Sequence, residues 1–178
     1  IVIDNLQNSN LEVIDSIKKI TQKEFTFIKL DLLDINGLKE IFETYTIDSV
    51  IHLAGYKSVN DSISNPLHYY RNNIVSTLNL LETMSIFNCY NLIFSSSSTV
   101  YGNIKPPFKE NNIIGSGITN PYGRTKYMIE EILMDVSNSN KLWNIISLRY
   151  FNPVGNHSSG LIGDNPNKPN NLMPIIVN

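Results

Sequence analysis

The strongest constraint on the fold is an alternation of two textures. Short runs rich in β-branched and aromatic residues, IVID at 1–4, FTFIKLDLLD at 25–34, DSVIHLAG at 48–55, NLIFSSSS at 91–98 and WNIISLRYF at 143–151, are separated by longer stretches with apolar residues three or four positions apart. The short runs are too uniformly apolar for half-exposed strands and predict strands buried on both faces. In the first longer stretch, Leu11, Ile14, Ile17 and Ile20 form a helical stripe, and the second carries Leu38, Ile41 and Phe42. A long helix is expected to begin near Pro66 and run through LHYYRNNIVSTLNLLETMSIF, and a fourth to span about 120 to 137. Five strands alternating with four helices predict an α/β fold, a Rossmann-like doubly wound parallel sheet with helices on both faces.

The 178 residues, 42% hydrophobic and 17% charged, suffice for a sizeable core. Beyond Tyr150 the texture changes: Pro153, Gly155, Gly160, Gly163, Pro166, Pro169 and Pro174 interrupt any period. Residues 1–150 are therefore expected to form a nucleotide-binding domain, and 151–178 to begin a substrate-binding region. A net charge of -2 and a pI near 5.9 supply no basic field for a phosphate backbone, which argues against nucleic acid as a partner. There is no run of the roughly 20 apolar residues that a membrane span needs, and no signal-peptide pattern, so a cytoplasmic location without membrane association is expected. Cys89 stands alone, and His52, His68 and His157 are scattered, so neither an internal disulfide nor a metal site is expected. The chain opens inside a strand without Met, and further sequence upstream is expected.

In open α/β sheets ligands gather at the carboxyl ends of the strands. Here those ends are Asp4-Asn5, Asp31-Leu32, LAGYK at 53–57, SSSS at 95–98 and RYFNP at 149–153. An acid closing such a strand binds ribose hydroxyls and disfavours a 2′-phosphate, so Asp4 suits NAD rather than NADP. Taken alone it fits a turn cap equally well. Gly55 would let backbone approach a ligand closely, and the hydroxyl of Ser97 would face one without filling its space. Tyr122 and Lys126 stand four apart, on one helix face with Cβ atoms roughly 5–6 Å apart. A phenol with its ordinary pKa of about 10 is one part in a thousand ionised at pH 7. Nearby positive charge lowers such a pKa by roughly 1 to 3, an effect worth up to about 4 kcal/mol. By itself the spacing also describes a solvated helix face.

The set DNLQNS, IHLAGYKSV, YYRNNIVSTLNLLE, FSSSSTVYG, NPYGRTKYMIEEIL, LRYFNPVG and PNNLMP, in this order and spacing, closely resembles the UDP-glucose 4-epimerases of the extended short-chain dehydrogenase/reductase family. The resemblance runs from residue 1 to about 174. It implies reversible interconversion of UDP-glucose and UDP-galactose at C4 through a 4-keto sugar, with tightly bound NAD. By position it implies that Tyr122 is the base, that Lys126 holds the nicotinamide ribose and tunes Tyr122, and that Ser97 bonds the 4-hydroxyl. It places Asp4, Asn5, Leu6, Gln7, Asn8 and Ser9 at the adenosine ribose and Asp31 and Leu32 beside the adenine. Leu53, Ala54, Gly55, Lys57, Asn72 and Ser95 line the NAD site in this reading, with Phe151 near the nicotinamide. Lys57, Asn152, Asn171 and Leu172 join Ser97 and Tyr122 at the UDP-sugar. A homodimer is implied for the full-length protein.

Related sugar-nucleotide dehydratases and decarboxylases place acidic residues just before the V-Y-G. Ser98, Thr99 and Val100 stand there in this sequence, which fits C4 redox chemistry alone. The strand and G-x-x-G-x-x-G loop that open the family pattern do not occur in it. In the order 3-2-1-4-5-6 the strand lies between IVID and SVIHLAG, so two unpaired inner strand edges are expected. The alternatives are a truncated, non-catalytic nucleotide-binding or interaction fragment, and another nucleotide-sugar epimerase of the same family.

Overall fold

A computed structural model describes residues 1–163. It divides into two compact units, one made of residues 1–31 with 152–163, the other of Leu32–Phe151. All strand pairs are parallel, as uniformly apolar strands and intervening helices demand.

In the smaller unit β1 (Val2–Asp4) pairs with β2 (Phe27–Lys29), with Asp4 opposite Lys29. The crossover is α1 (Glu12–Thr21), which ends on Gln22 in a left-handed conformation. The expected stripe is only partly realised. Ile14, Ile17 and Ile20 are half-buried, whereas Leu11 precedes the helix and is exposed.

The larger unit holds β3 (Ser49–His52), β4 (Asn91–Ser97) and β5 (Asn144–Tyr150) in that order, with Ile51, Ile93 and Ile146 in one row. Among the described residues β1 pairs only with β2, and β3 only with β4. The strands therefore form two parallel sheets, and the pairing ends at the two edges where the resemblance leads one to expect a further strand.

Helices α2 (Ile35–Thr44), α5 (Ser76–Ile86) and α6 (Pro121–Ser139) bury Phe42, Leu80, Leu81, Met84, Ile129 and Leu133 against Leu92 and Phe94 of β4. Burying each such side chain stabilises the fold by roughly 1.5–3 kcal/mol. On the opposite sheet face of this unit Ile51 is 64% and Ile146 56% exposed.

Sequence signals fix the helix starts. Asp34 and Asn120 accept from the N–H groups of Gly37 (3.1 Å) and Gly123 (2.8 Å), and Pro121 follows its cap in the first turn. The expected strand to Gly55 instead stops at His52, and a short helix α3 (Val59–Ser64), capped by Ser58, follows it. The long helix expected from Pro66 is three consecutive pieces: α4 (Pro66–Tyr70), a π-helical segment Arg71–Val75, and α5. The hydroxyls of Thr77 (2.7 Å) and Ser76 (3.3 Å) donate to the Asn73 carbonyl. No helix among the described residues is long and apolar enough to cross a membrane, and none of their side chains form a metal-binding cluster.

Candidate active site

Three consecutive serines close β4, and each engages a neighbour differently. The Ser95 carbonyl accepts from Lys126 Nζ at 2.6 Å, and the Ser96 hydroxyl donates to Glu130. The Ser97 hydroxyl accepts from the N–H (3.2 Å) and hydroxyl (3.0 Å) of Thr99 and lies beside the Tyr122 phenol, whose pKa it lowers. Tyr122, Lys126 and Glu130 recur every fourth residue of α6, so one helix stripe rests on the serine run. The spacing that was ambiguous in sequence is here a face that is half-buried at Tyr122 and Glu130 and buried at Lys126. Lys126 is only 5% exposed.

Lys126 lies 4.7 Å from the Phe94 ring centroid and 6.0 Å from that of Tyr122. Burial lowers its pKa from 10.5 to about 8. The phenol of Tyr122 is pushed up, first by burial, with the Ser97 hydroxyl opposing. This differs from the expected depression by Lys126. The ammonium lies 6.0 Å from the ring centroid and is held by the Ser95 carbonyl, and burial is the largest influence on the phenol.

The lowered pKa has a sign that can be measured. Below about pH 8 the folded state carries a buried ammonium that it disfavours relative to the unfolded chain. As pH rises from about 8 to 10.5 the unfolded state alone still binds the proton, so stability rises. Denaturant titrations across this window should show the chain gaining up to about 3 kcal/mol relative to Lys126→Met. A constant difference between the two would refute the buried ammonium.

Behind this stripe lies a polar layer that no sequence signal marks. Asn73, from the π-helical segment, accepts from Tyr56 N–H (2.8 Å) and donates to the Tyr56 carbonyl (3.0 Å) and the Thr125 hydroxyl (3.1 Å). It thus ties the loop after β3 to the residue preceding Lys126. A Cβ on Gly55, where φ is +145°, would lie 3.2 Å from Asn73 Oδ1, so a protein side chain already claims the space that glycine opens. Asn72 donates to the same oxygen at 3.0 Å. His52 is buried with Nε2 2.9 Å from Thr77 Oγ1. Because Thr77 donates onward to Asn73, Nε2 carries the ring proton. Burial, with the Lys126 charge second, lowers the pKa of His52 to about 3, so it stays neutral.

Phe151 is exposed and stacks at 5.9 Å on Phe108, which stacks at 4.9 Å on Tyr101. Leu53, Ala54 and Lys57 are also exposed. In the smaller unit, Asp4 Oδ1 accepts from Leu6 N–H (2.6 Å) and the Ser9 hydroxyl (2.8 Å), and Asn5 donates to Asp31 at 3.0 Å. Asp4 does cap a turn, as its position at a strand end allows. Asn152 is exposed, and Asn171 and Leu172 lie outside the described residues.

Comparison with known proteins gives a consistent outcome. The family model described as "NAD dependent epimerase/dehydratase family" matches residues 1–178. The chain is 51% identical to UDP-glucose 4-epimerase of Yersinia enterocolitica, over 99% of this chain and 53% of that protein. It is also 51% identical to the enzyme of the same name from Dictyostelium discoideum, over 99% and 52%. Among solved structures, UDP-glucose 4-epimerase from Bifidobacterium longum in complex with NAD+ and UDP superposes with a TM-score of 0.94 at 43% identity, over 98% of this chain and 52% of that one. The chain spans about half the length of the curated relatives it matches.

Proposed function

The chain belongs to the NAD dependent epimerase/dehydratase family, and from that premise we propose that it carries the cofactor-binding and acid-base half of a UDP-glucose 4-epimerase. The observation that carries this reading is the buried Lys126, whose Nζ is held by the Ser95 carbonyl one helical turn beyond Tyr122, with Ser97 beside the Tyr122 phenol.

The residues present fit NAD at two points. Asp4 offers a carboxylate at a strand end, already ordered by Leu6 and Ser9. In the other unit, Lys126 offers a buried ammonium beside the phenol. When bound, NAD supplies the acceptor and donor of hydride at C4 of the sugar. Tyr122 would take the proton of the 4-hydroxyl and return it to the same oxygen once the 4-keto sugar has turned its opposite face to the hydride donor. Ser97 would hydrogen-bond the same oxygen and oppose the rise that burial gives the phenol pKa, and Lys126, one turn further along, would hold the nicotinamide ribose. Ser98, Thr99 and Val100 carry no carboxylate, so these positions supply no acid or base for elimination beyond C4. Leu53, Ala54, Gly55, Lys57, Asn72, Ser95 and Phe151 complete the cofactor side, and Asn152, Asn171 and Leu172 the UDP-sugar side. Residues 151–178 open the substrate region. A cytoplasmic homodimer of the full-length enzyme belongs to the same reading.

The test is to purify the 178-residue chain and the full-length enzyme, assay each for conversion of UDP-galactose to UDP-glucose, and analyse nucleotide released on denaturation. Turnover and NAD are expected from the full-length enzyme. If that enzyme yields neither, the chain is a non-catalytic nucleotide-binding or interaction module. Cofactor preference has its own check. Asp4→Asn keeps the oxygen that caps the turn and removes the charge facing a 2′-phosphate. Discrimination between NAD and NADP, read by titration of cofactor-stripped enzyme, should fall about tenfold, the effect of roughly one lost charge interaction. Unchanged discrimination would remove Asp4 from the ribose site.

A further inference from the structure

Glu130 belongs to no part of the reading above, yet it is the most heavily bonded carboxylate described in the larger unit. It accepts from the Ser96 hydroxyl and from Arg149, whose Nε lies 3.1 and 3.2 Å from its two oxygens and whose Nη2 lies 2.8 Å from Oε2. The side chains are 9% and 18% exposed. Arg149 is fixed in turn: Nη1 donates to the Tyr101 hydroxyl (3.3 Å) and the Glu110 carbonyl (3.2 Å), and the guanidinium lies 5.0 Å from the Tyr101 ring centroid. Ser96 and Arg149 are direct partners across β4 and β5. The network therefore joins α6, both strands and the turn that follows Ser97.

A buried ion pair of this kind contributes little net stability, because desolvation offsets the attraction, and its best-attested use is to fix register. Here the register in question is that of the reactive groups. Ser96 lies between Ser95, which receives Lys126, and Ser97, which meets Tyr122. Glu130 is one helical turn beyond Lys126 and two beyond Tyr122. We propose that Glu130, clamped by Arg149, is a positioning residue that sets α6 on β4 so that the Tyr122 phenol meets Ser97. It touches no reacting atom. Its effect passes through the placement of Tyr122, where an error near 1 Å can cost about 100-fold in rate.

The proposal rests on the epimerase reading, and the experiment separates the two. In the full-length enzyme, Glu130→Leu is expected to lower kcat about 30-fold, while KM for UDP-galactose and the NAD content stay within about twofold. Ser96→Ala deletes one hydroxyl and leaves the fold intact. It should lower kcat about fivefold with the same unchanged KM. In a Ser97→Ala background, where the contact being positioned is already lost, either substitution should reduce kcat by less than about twofold further. Full multiplication of the losses in that background, or a loss of NAD parallel to the loss of kcat, would overturn the positioning role and leave the epimerase reading standing. Normal kcat in Ser96→Ala and Glu130→Leu would do the same. Absence of turnover in the unsubstituted enzyme would overturn both.

Discussion

Replacing Tyr122 with Phe in the full-length enzyme is expected to lower turnover about 1,000-fold, within the range that a positioned general acid-base group contributes. The substitution keeps the ring that packs over Lys126, so the 6.0 Å approach of the ammonium survives. What it removes is the phenolic oxygen beside Ser97. Loss of a group used only in proton transfer lowers kcat and leaves substrate affinity nearly unchanged. The measurement is steady-state conversion of UDP-galactose, together with the NAD content of the purified variant. Retained NAD with a collapsed kcat is the expected pair. Turnover within a few-fold of the unsubstituted enzyme would remove Tyr122 from the chemistry, whatever its geometry.

The legible parts of this molecule are those governed by local rules. Asn120-Pro121 marks the start of α6 because a side-chain cap and a proline belong to a first helical turn whatever packs around it. Leu38, Ile41 and Phe42 are buried as their spacing predicts. What escaped depends on partners distant in sequence. The π-helical segment at Arg71–Val75 accompanies an Asn73 side chain drawn to Tyr56 and Thr125, 17 and 52 residues away. No window of local sequence contains that pull. α3 went unread because VNDSIS has neither the length nor the stripe of a helix and rests on its Ser58 cap.

The site divides in the same way. Ser97, Tyr122 and Lys126 were legible as a set through the resemblance, although spacing alone left Tyr122 and Lys126 unresolved. The electrostatics were not legible. The helical pair suggested a phenol made acidic by its lysine, whereas burial raises the one and lowers the other. Glu130 reads as one more solvated carboxylate in YMIEE. Only the fold brings Arg149 to it, from the neighbouring strand.

Gly102→Ala tests whether the turn after Ser97 is as tightly determined as it looks. Gly102 ends that turn with φ +60° and ψ −121°, a conformation closed to side-chain-bearing residues. A Cβ there would lie 1.9 Å from the backbone carbonyl oxygen of Ser116, which cannot rotate away as a flexible side chain would. Nor can the Ser116 segment withdraw freely. Gly115 N–H donates to the Val100 carbonyl at 2.9 Å, and the Tyr127 ring of α6 fills the space beside Gly115. Backbone strain of roughly 1–3 kcal/mol and overpacking of roughly 1–3 kcal/mol should add, for a loss of about 3 kcal/mol or more. For a chain of this size the urea midpoint should then fall by about 1–2 M with little change in slope. Because Thr99, in the same turn, holds the Ser97 hydroxyl, kcat should fall with it even where the variant remains folded. A midpoint unchanged within about 0.3 M would mean that the loop yields at little cost, and that the placement of Ser97 rests on β4 alone.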